Sequence, residues 1–347
     1  MTKSANRYEY IDITKGIGIL LVVWAHILLV GWTHRFIYAF HMPLFFFMSG
    51  YLFNSVKYHS FKDFLKKRFR RLIIPYLIYS VSTWAIWAIF RYLTHSNVES
   101  YFMPLLQTVI AQGSGEFLVH NSALWFIPCL FAVEIIYYYI CKAGDIAAIA
   151  LCIAFAVFNS IMASIFGESY MFTLPWNLDA AFYALPFYGI ANIIHKHYSH
   201  ELLLAKVNQN KISAVATTVV LTAILYYLSV FFRECSMGSS SYQCEIYVFI
   251  FRAFIGCFAL IIFSMLLANL HMPKFITNSL SWCGKNSLDI MCLHIPIKGV
   301  VIILIGKALH PMTDVSESGA LSAIAFIITM IVCIPMIFTI NKYIRKQ

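Results

Sequence analysis

Two histidines and a lysine near the start of the 347-residue chain have the types and spacing to do chemistry. Lys15 and His26 stand 11 residues apart. On an α-helix, at about 100° per residue, that spacing closes three turns, so both side chains share a face about 16 Å apart along the axis. Asp12, one turn before Lys15, lies on a nearby face. His41 opens the run His41-Met42-Pro43-Leu44-Phe45-Phe46-Phe47-Met48-Ser49-Gly50-Tyr51-Leu52-Phe53. An unperturbed imidazole titrates near 6.5. It can take a proton from a hydroxyl and return it at neutral pH, or carry an acyl group as a nucleophile. Carboxylate pairs and serine triads show no comparable arrangement here. A histidine alone in an apolar helix can simply satisfy a backbone carbonyl, but a charged neighbour on its own face favours a site at His26.

A second group is cationic. Lys66-Lys67-Arg68-Phe69-Arg70-Arg71 directly precedes an apolar run, with Pro75 just inside it. On a helix Arg68 and Arg71 share a face. One reading is an anchor on anionic lipid; the other is a phosphate clamp, because guanidinium forks match phosphate oxygens. Glu134 and Arg252 are expected to pair inside the bundle, or to serve a polar cavity. His294 either belongs to the site or satisfies carbonyls freed where Pro296 breaks its helix. Trp125, in Leu124-Trp125-Phe126-Ile127-Pro128, reads as an interface anchor before a sugar-stacking platform. Phe45–Phe47 read as lipid-facing packing, and Ser49-Gly50 as a point of close backbone approach.

The elements that must position these residues are membrane helices. Hydrophobic residues make up 61% of the chain and charged residues 12%, against roughly 25% charged in a soluble domain. At about 20 apolar residues per span, this is enough for about ten spans. The expected fold is an all-α polytopic helix bundle, one integral-membrane domain over 1–347 with no appended soluble domain. This composition excludes a soluble enzyme, a disordered chain and a disulfide scaffold. The net charge of +10 is scattered through loops, which argues against nucleic-acid binding. Aromatics at 17% suit interfacial belts. Asp12 and Lys15 interrupt the first apolar run, so no removable leader is expected.

The spans are read at 12–32, 36–54, 72–93, 123–140, 146–166, 179–195, 212–232, 245–268, 287–308 and 320–341, with kinks at Pro43 and Pro186. An ionisable side chain inside a span is costly, and is therefore a site candidate. Connections on the N-terminal side, including the tail with Lys3 and Arg7 and the end with Arg345 and Lys346, hold 18 of the 25 Lys and Arg. That bias places both termini in the cytoplasm. A short connection makes the first two spans neighbours, so His26 and His41 sit at similar depth and face one cavity. The loop 94–122 has an apolar patch at 102–110 that fits the interface. Cys235 and Cys244 share an outer loop and pair if that side is oxidising; otherwise they stand as free thiols. The other seven cysteines read as packing residues. No ligand spacing indicates a metal.

Taken together, these residues resemble the membrane-bound acyltransferase-3 family. The resemblance rests on Asp12 with Lys15 and then His26, the segment Phe40–Leu52, Arg68 and Arg71 before Pro75-Tyr76, Leu124–Phe126, and Gly284–Pro296. The second segment and Leu72–Tyr76 are most similar to the fucose 4-O-acetylase-like and O-antigen acetyltransferase branch. The resemblance implies a multi-pass enzyme of the bacterial inner membrane. It would move an acetyl group from cytoplasmic acetyl-coenzyme A to a hydroxyl of a carbohydrate or lipid-linked glycan, without a metal. His26, His41 and Lys15 are then the catalytic candidates. Lys15, Arg68 and Arg71 would bind the donor, and Trp125, Glu134, Arg252 and His294 the acceptor. Some members carry an extra hydrolase-like domain; here the membrane core is expected to complete the transfer alone or with a separate partner. A transporter or flippase of a glycan or polar lipid is the competing reading, although no pair of repeated halves is evident. A sensor or scaffold, the third, would tolerate loss of both His26 and His41.

Overall fold

The computed structural model describes residues 8–28, 31–113, 117–167, 174–238, 241–242, 245–270, 272–309 and 318–343. In chain order the helices begin with α1 (Glu9–Ile27), α2 (Trp32–Tyr38), α3 (His41–Tyr51), α4 (Phe61–Arg68) and α5 (Ile74–Leu93). Then come α6 (Met103–Ile110), α7 (Phe126–Ile140), α8 (Asp145–Phe166), α9 (Leu178–His197) and α10 (His200–Gln209). The chain closes with α11 (Lys211–Phe231), α12 (Ile246–Asn269), α13 (Lys274–Lys285), α14 (Ser287–Leu309) and α15 (Gly319–Tyr343). A two-stranded antiparallel hairpin, β1 (Cys235–Ser236) and β2 (Ser241–Tyr242), precedes α12. The fold is an all-α polytopic bundle. Among the described residues eight helical runs are long and apolar enough to cross a bilayer.

The other two expected spans became buried interior elements. α9 lies inside the bundle and carries Asp179 and Asn192 among its buried residues. The segment 36–54 is two helices rather than one span. α2 ends at Tyr38, and Phe40 leaves helical geometry with φ −144° and ψ −14° before α3 starts at His41. Pro43 therefore falls in the first turn of α3, where a missing N–H costs nothing, and the break precedes it. Phe45, Phe46 and Phe47 are buried rather than lipid-facing. α3 is enclosed by α1, α9 and α12, which leaves it no lipid-facing side for them.

α1 runs through the centre, against α13, α12, α14 and α3. Lipid supplies no hydrophobic drive between helices, so close approach through small residues does the work. A methyl group at Gly16 would lie 2.0 Å from the Leu280 carbonyl oxygen, and one at Gly284 1.8 Å from that of Asp12. Gly50 plays the same part for α3, whose backbone meets the Tyr188 carbonyl of α9. We expect Gly284→Ala to force α13 off α1 at a cost of about 1–3 kcal/mol or more. This should read as a lower melting temperature in detergent; an unchanged one refutes the contact.

The basic residues gather at one end of the bundle. There Tyr10 Oη lies 3.0 Å from Tyr51 Oη and 2.8 Å from His200 Nδ1. Tyr8 donates to Glu201, and that bond holds the Glu201 carboxyl below its usual range. These contacts tie the lower ends of α1 and α3 to α10. α6 folds back along α5, where Tyr76 Oη donates to the Thr108 carbonyl at 2.6 Å, and exposes Phe102, Met103, Leu106 and Val109. Cys235 is disulfide-bonded. Cys244, the partner expected from sequence, lies outside the described residues, as do Lys3, Arg7, Arg345 and Lys346.

Candidate active site

Two cavities lie one above the other along α1. The first, about 250 Å³, is nearer the end away from the basic residues. It is lined by His26 from the last turn of α1, Tyr38 from the end of α2 and His41 from the start of α3. Trp125 forms a wall, and Cys235–Gly238 of the hairpin region close the cavity over. The break at residues 39–40 is what sets Tyr38 beside His41: their ring centroids are 4.7 Å apart, with His26 6.3 Å from Tyr38.

Hydrogen bonding assigns the imidazole protons. His41 Nδ1 lies 2.9 Å from the Ile37 carbonyl. A carbonyl only accepts, so Nδ1 carries the proton and Nε2 keeps its lone pair. His294 Nδ1 likewise donates to the carbonyls of Ile290 (3.1 Å) and Met291 (2.8 Å). Its buried Nε2 has no partner among the described residues, and its ring stands 5.1 Å from that of His26. His294 thus sits behind His26 rather than in the cavity lining.

Pro296 does not break its helix, because α14 runs through it. The proline lacks the N–H that the Cys292 carbonyl needs, and the buried Asn121 side chain donates to that carbonyl instead, at 2.6 Å. Trp125 is an interior wall rather than an anchor at the bilayer surface. Its indole packs under glycine backbones: a methyl at Gly238 would meet Trp125 Nε1 at 2.5 Å, and one at Gly113 would meet Cβ at 2.7 Å.

The second cavity, about 150 Å³, is cationic and lies toward the basic end. Lys15, Arg68 and Arg71 line it together with Ser49, Glu134 and Ser287. A π-helical turn, Phe69–Ile73, joins α4 to α5 and packs on α7. Wide turns of this kind concentrate at functional sites; this one brings Arg68 and Arg71 to the same cavity. Arg68 Nε pairs with Glu134 Oε2 at 3.1 Å.

That pairing corrects the expected Glu134–Arg252 bridge. Arg252 donates to the Arg233 carbonyl (3.0 Å), and more distantly to the Arg35 carbonyl and Ser229 Oγ (3.5 Å each). Arg252 therefore clamps α2 to the end of α11 and the chain just beyond it, and it lines neither cavity. The physical reason is depth. Arg252 is in the second turn of α12, away from the basic end, whereas Glu134 is in the half of α7 that approaches it.

Both cavities use α1, α3 and the Ser122–Ile140 run as walls. They meet at an aromatic partition: Trp125 faces the first cavity and Phe126 the second, as do Met42 and Phe45 one turn apart. Phe126 packs 4.9 Å from Phe46 and 6.1 Å from Phe45.

Sequence reasoning missed three contributors. Tyr38 had no signal. His34 pairs with Glu234 at 2.7 Å and stacks on Tyr38 at 4.0 Å, a contact that only the fold creates. Lys298, whose Nζ donates to the His26 carbonyl at 2.6 Å, did have one: it is a lysine inside an apolar span, four residues after His294.

Chemically, the imidazoles of His26 and His41 line a small chamber that suits a hydroxyl, and guanidinium and ammonium groups line one that suits phosphate. The model of the acyltransferase-3 family, an acyltransferase domain, matches residues 8–339. No curated protein and no solved structure matches the chain. The matched stretch contains both cavities and every residue placed in them, and the chain belongs to the acyltransferase-3 family, as a multi-pass membrane acyltransferase.

Proposed function

We propose that the protein is an O-acetyltransferase of the bacterial inner membrane. It moves the acetyl group of cytoplasmic acetyl-coenzyme A to a hydroxyl of a cell-surface carbohydrate, such as an O-antigen, a capsule or a related glycan. The observation that carries this is the pair of stacked cavities on common walls, one cationic and one lined by imidazoles. The basic end is cytoplasmic in this reading, and the one membrane domain does both halves of the work.

Arg68 and Arg71 hold the phosphates of the donor, with Glu134 bracing Arg68, and Lys15 neutralises phosphate or orients the pantetheine arm. The thioester passes the Phe45–Phe126 partition to reach His26. The acceptor enters from the outer side. At about 250 Å³ the outer chamber is smaller than the roughly 300–1,000 Å³ typical of ligand pockets, which suits one sugar end rather than a long stretch of polymer. His41 Nε2 accepts a hydrogen bond from the acceptor. His26 takes the proton of the attacking hydroxyl as its oxygen bonds to the thioester carbonyl carbon. The tetrahedral intermediate then collapses, the C–S bond breaks, and the imidazolium returns the proton to the departing thiolate.

Surface glycans from cells with and without the gene, compared by mass spectrometry, test the reading. Loss of one acetyl mass from a glycan on deletion supports it. Glycan movement across the membrane without consumption of acetyl-coenzyme A makes the protein a transporter instead.

A further inference from the structure

α14 carries a cation that the scheme above leaves without a part. Lys298 lies in an apolar span, is partly buried, and donates to the backbone carbonyl of His26 at 2.6 Å. An ammonium at that depth is costly, so its partner is informative. α1 ends at Ile27, which puts the His26 carbonyl among the last carbonyls of the helix, those without an intrahelical donor. A cation there also complements the negative end of the helix.

The second observation is the spacing. His294 and Lys298 are four residues apart on α14 and therefore lie one above the other on one face. His294 meets the ring of His26, and Lys298 meets its carbonyl. One face of one helix thus grips His26 at two points. The ring nitrogens of His26 have no hydrogen bond to a described residue, so packing and this backbone anchor set where the imidazole sits.

We infer that Lys298 is a positioning residue of the acyl transfer: it holds the end of α1 so that the His26 ring meets the thioester and the hydroxyl in register. The inference rests on the acetyl-transfer reading for its chemistry and on geometry alone for the anchor.

The test compares the wild type, Lys298→Met and Lys298→Arg in lipid nanodiscs. A shift of about 1 Å at a reacting group costs up to about 100-fold. We therefore expect kcat of Lys298→Met to fall about 10- to 100-fold. KM for acetyl-coenzyme A should stay within about two-fold, because the cationic cavity is untouched. Lys298→Arg, which keeps a donor and the charge, should recover most of the rate.

A second readout does not need the reaction: the rate at which diethyl pyrocarbonate modifies His26, followed by peptide mass spectrometry. It should rise in Lys298→Met and return in Lys298→Arg. An unchanged His26 reactivity in Lys298→Met overturns the anchor, whatever happens to the rate. A wild type that acetylates no glycan defeats the acetyl-transfer reading instead, while the reactivity data still judge Lys298.

Discussion

Replacing His26 by alanine should lower glycan acetylation by about 10²–10⁴-fold, the range that removing a general base produces. The protein should still insert and melt like the wild type, because the ring lines a cavity and makes no hydrogen bond that the fold depends on. His41→Ala should cost less. The two substitutions should add less than independently, since both act on the same bound acceptor. Incubation with radiolabelled acetyl-coenzyme A and no acceptor separates the two roles open to His26. A transient acyl-histidine leaves label on the wild-type chain and none on His26→Ala, whereas a general base leaves none on either. Unchanged acetylation in a well-inserted His26→Ala protein removes His26 from the chemistry altogether.

The second large effect concerns Arg68. Its pair with Glu134 is nearly closed to solvent, with side-chain exposures of 10% and 4%. Removing one partner of a buried pair leaves the other charge uncompensated, at about 3–5 kcal/mol. Arg68→Ala should therefore lower both stability and donor binding, and Glu134→Ala chiefly stability. The charge-exchanged double variant Arg68→Glu/Glu134→Arg tells bracing from recognition. It should regain much of the melting temperature, because the opposite charges still meet. It should still bind acetyl-coenzyme A poorly, because a carboxylate now stands where the proposed mechanism puts phosphate. Full recovery of donor affinity in the exchanged protein shows that the pair is structural only, and moves phosphate recognition to Arg71 and Lys15.

Much of this site was legible before the fold. Lys15 and His26 share a face because helical periodicity is a local property. Arg68 and Arg71 share a cavity for the same reason, although a π-helical turn lies where a regular helix was expected. Failures came wherever a residue's partner was distant in the chain. Glu134 was matched to Arg252 by charge alone, since a sequence carries no depth coordinate fine enough to show that they lie toward opposite ends. The phenylalanines of α3 looked lipid-facing because apolar side chains read alike whether lipid or protein covers them. Trp125 looked like a surface anchor, as it stands at a span boundary; the glycines that bury it come from residues 113 and 238.

The sequence by itself determined the solvent of this protein, the number of helical runs long and apolar enough to cross a bilayer to within two of the eight among the described residues, the charged end, and which helical faces carry Lys15, His26 and the arginine pair. These follow from composition and period, which need no partner. Only the tertiary structure decided that the 36–54 segment breaks so that Tyr38 and His41 turn into one chamber, that Asn121 covers the carbonyl left open by Pro296, and that Lys298 seizes the backbone of His26. Each of these is a contact between helices, set by close packing and by the need to satisfy polar groups where no water reaches, and neither constraint can be read along a single strand of residues.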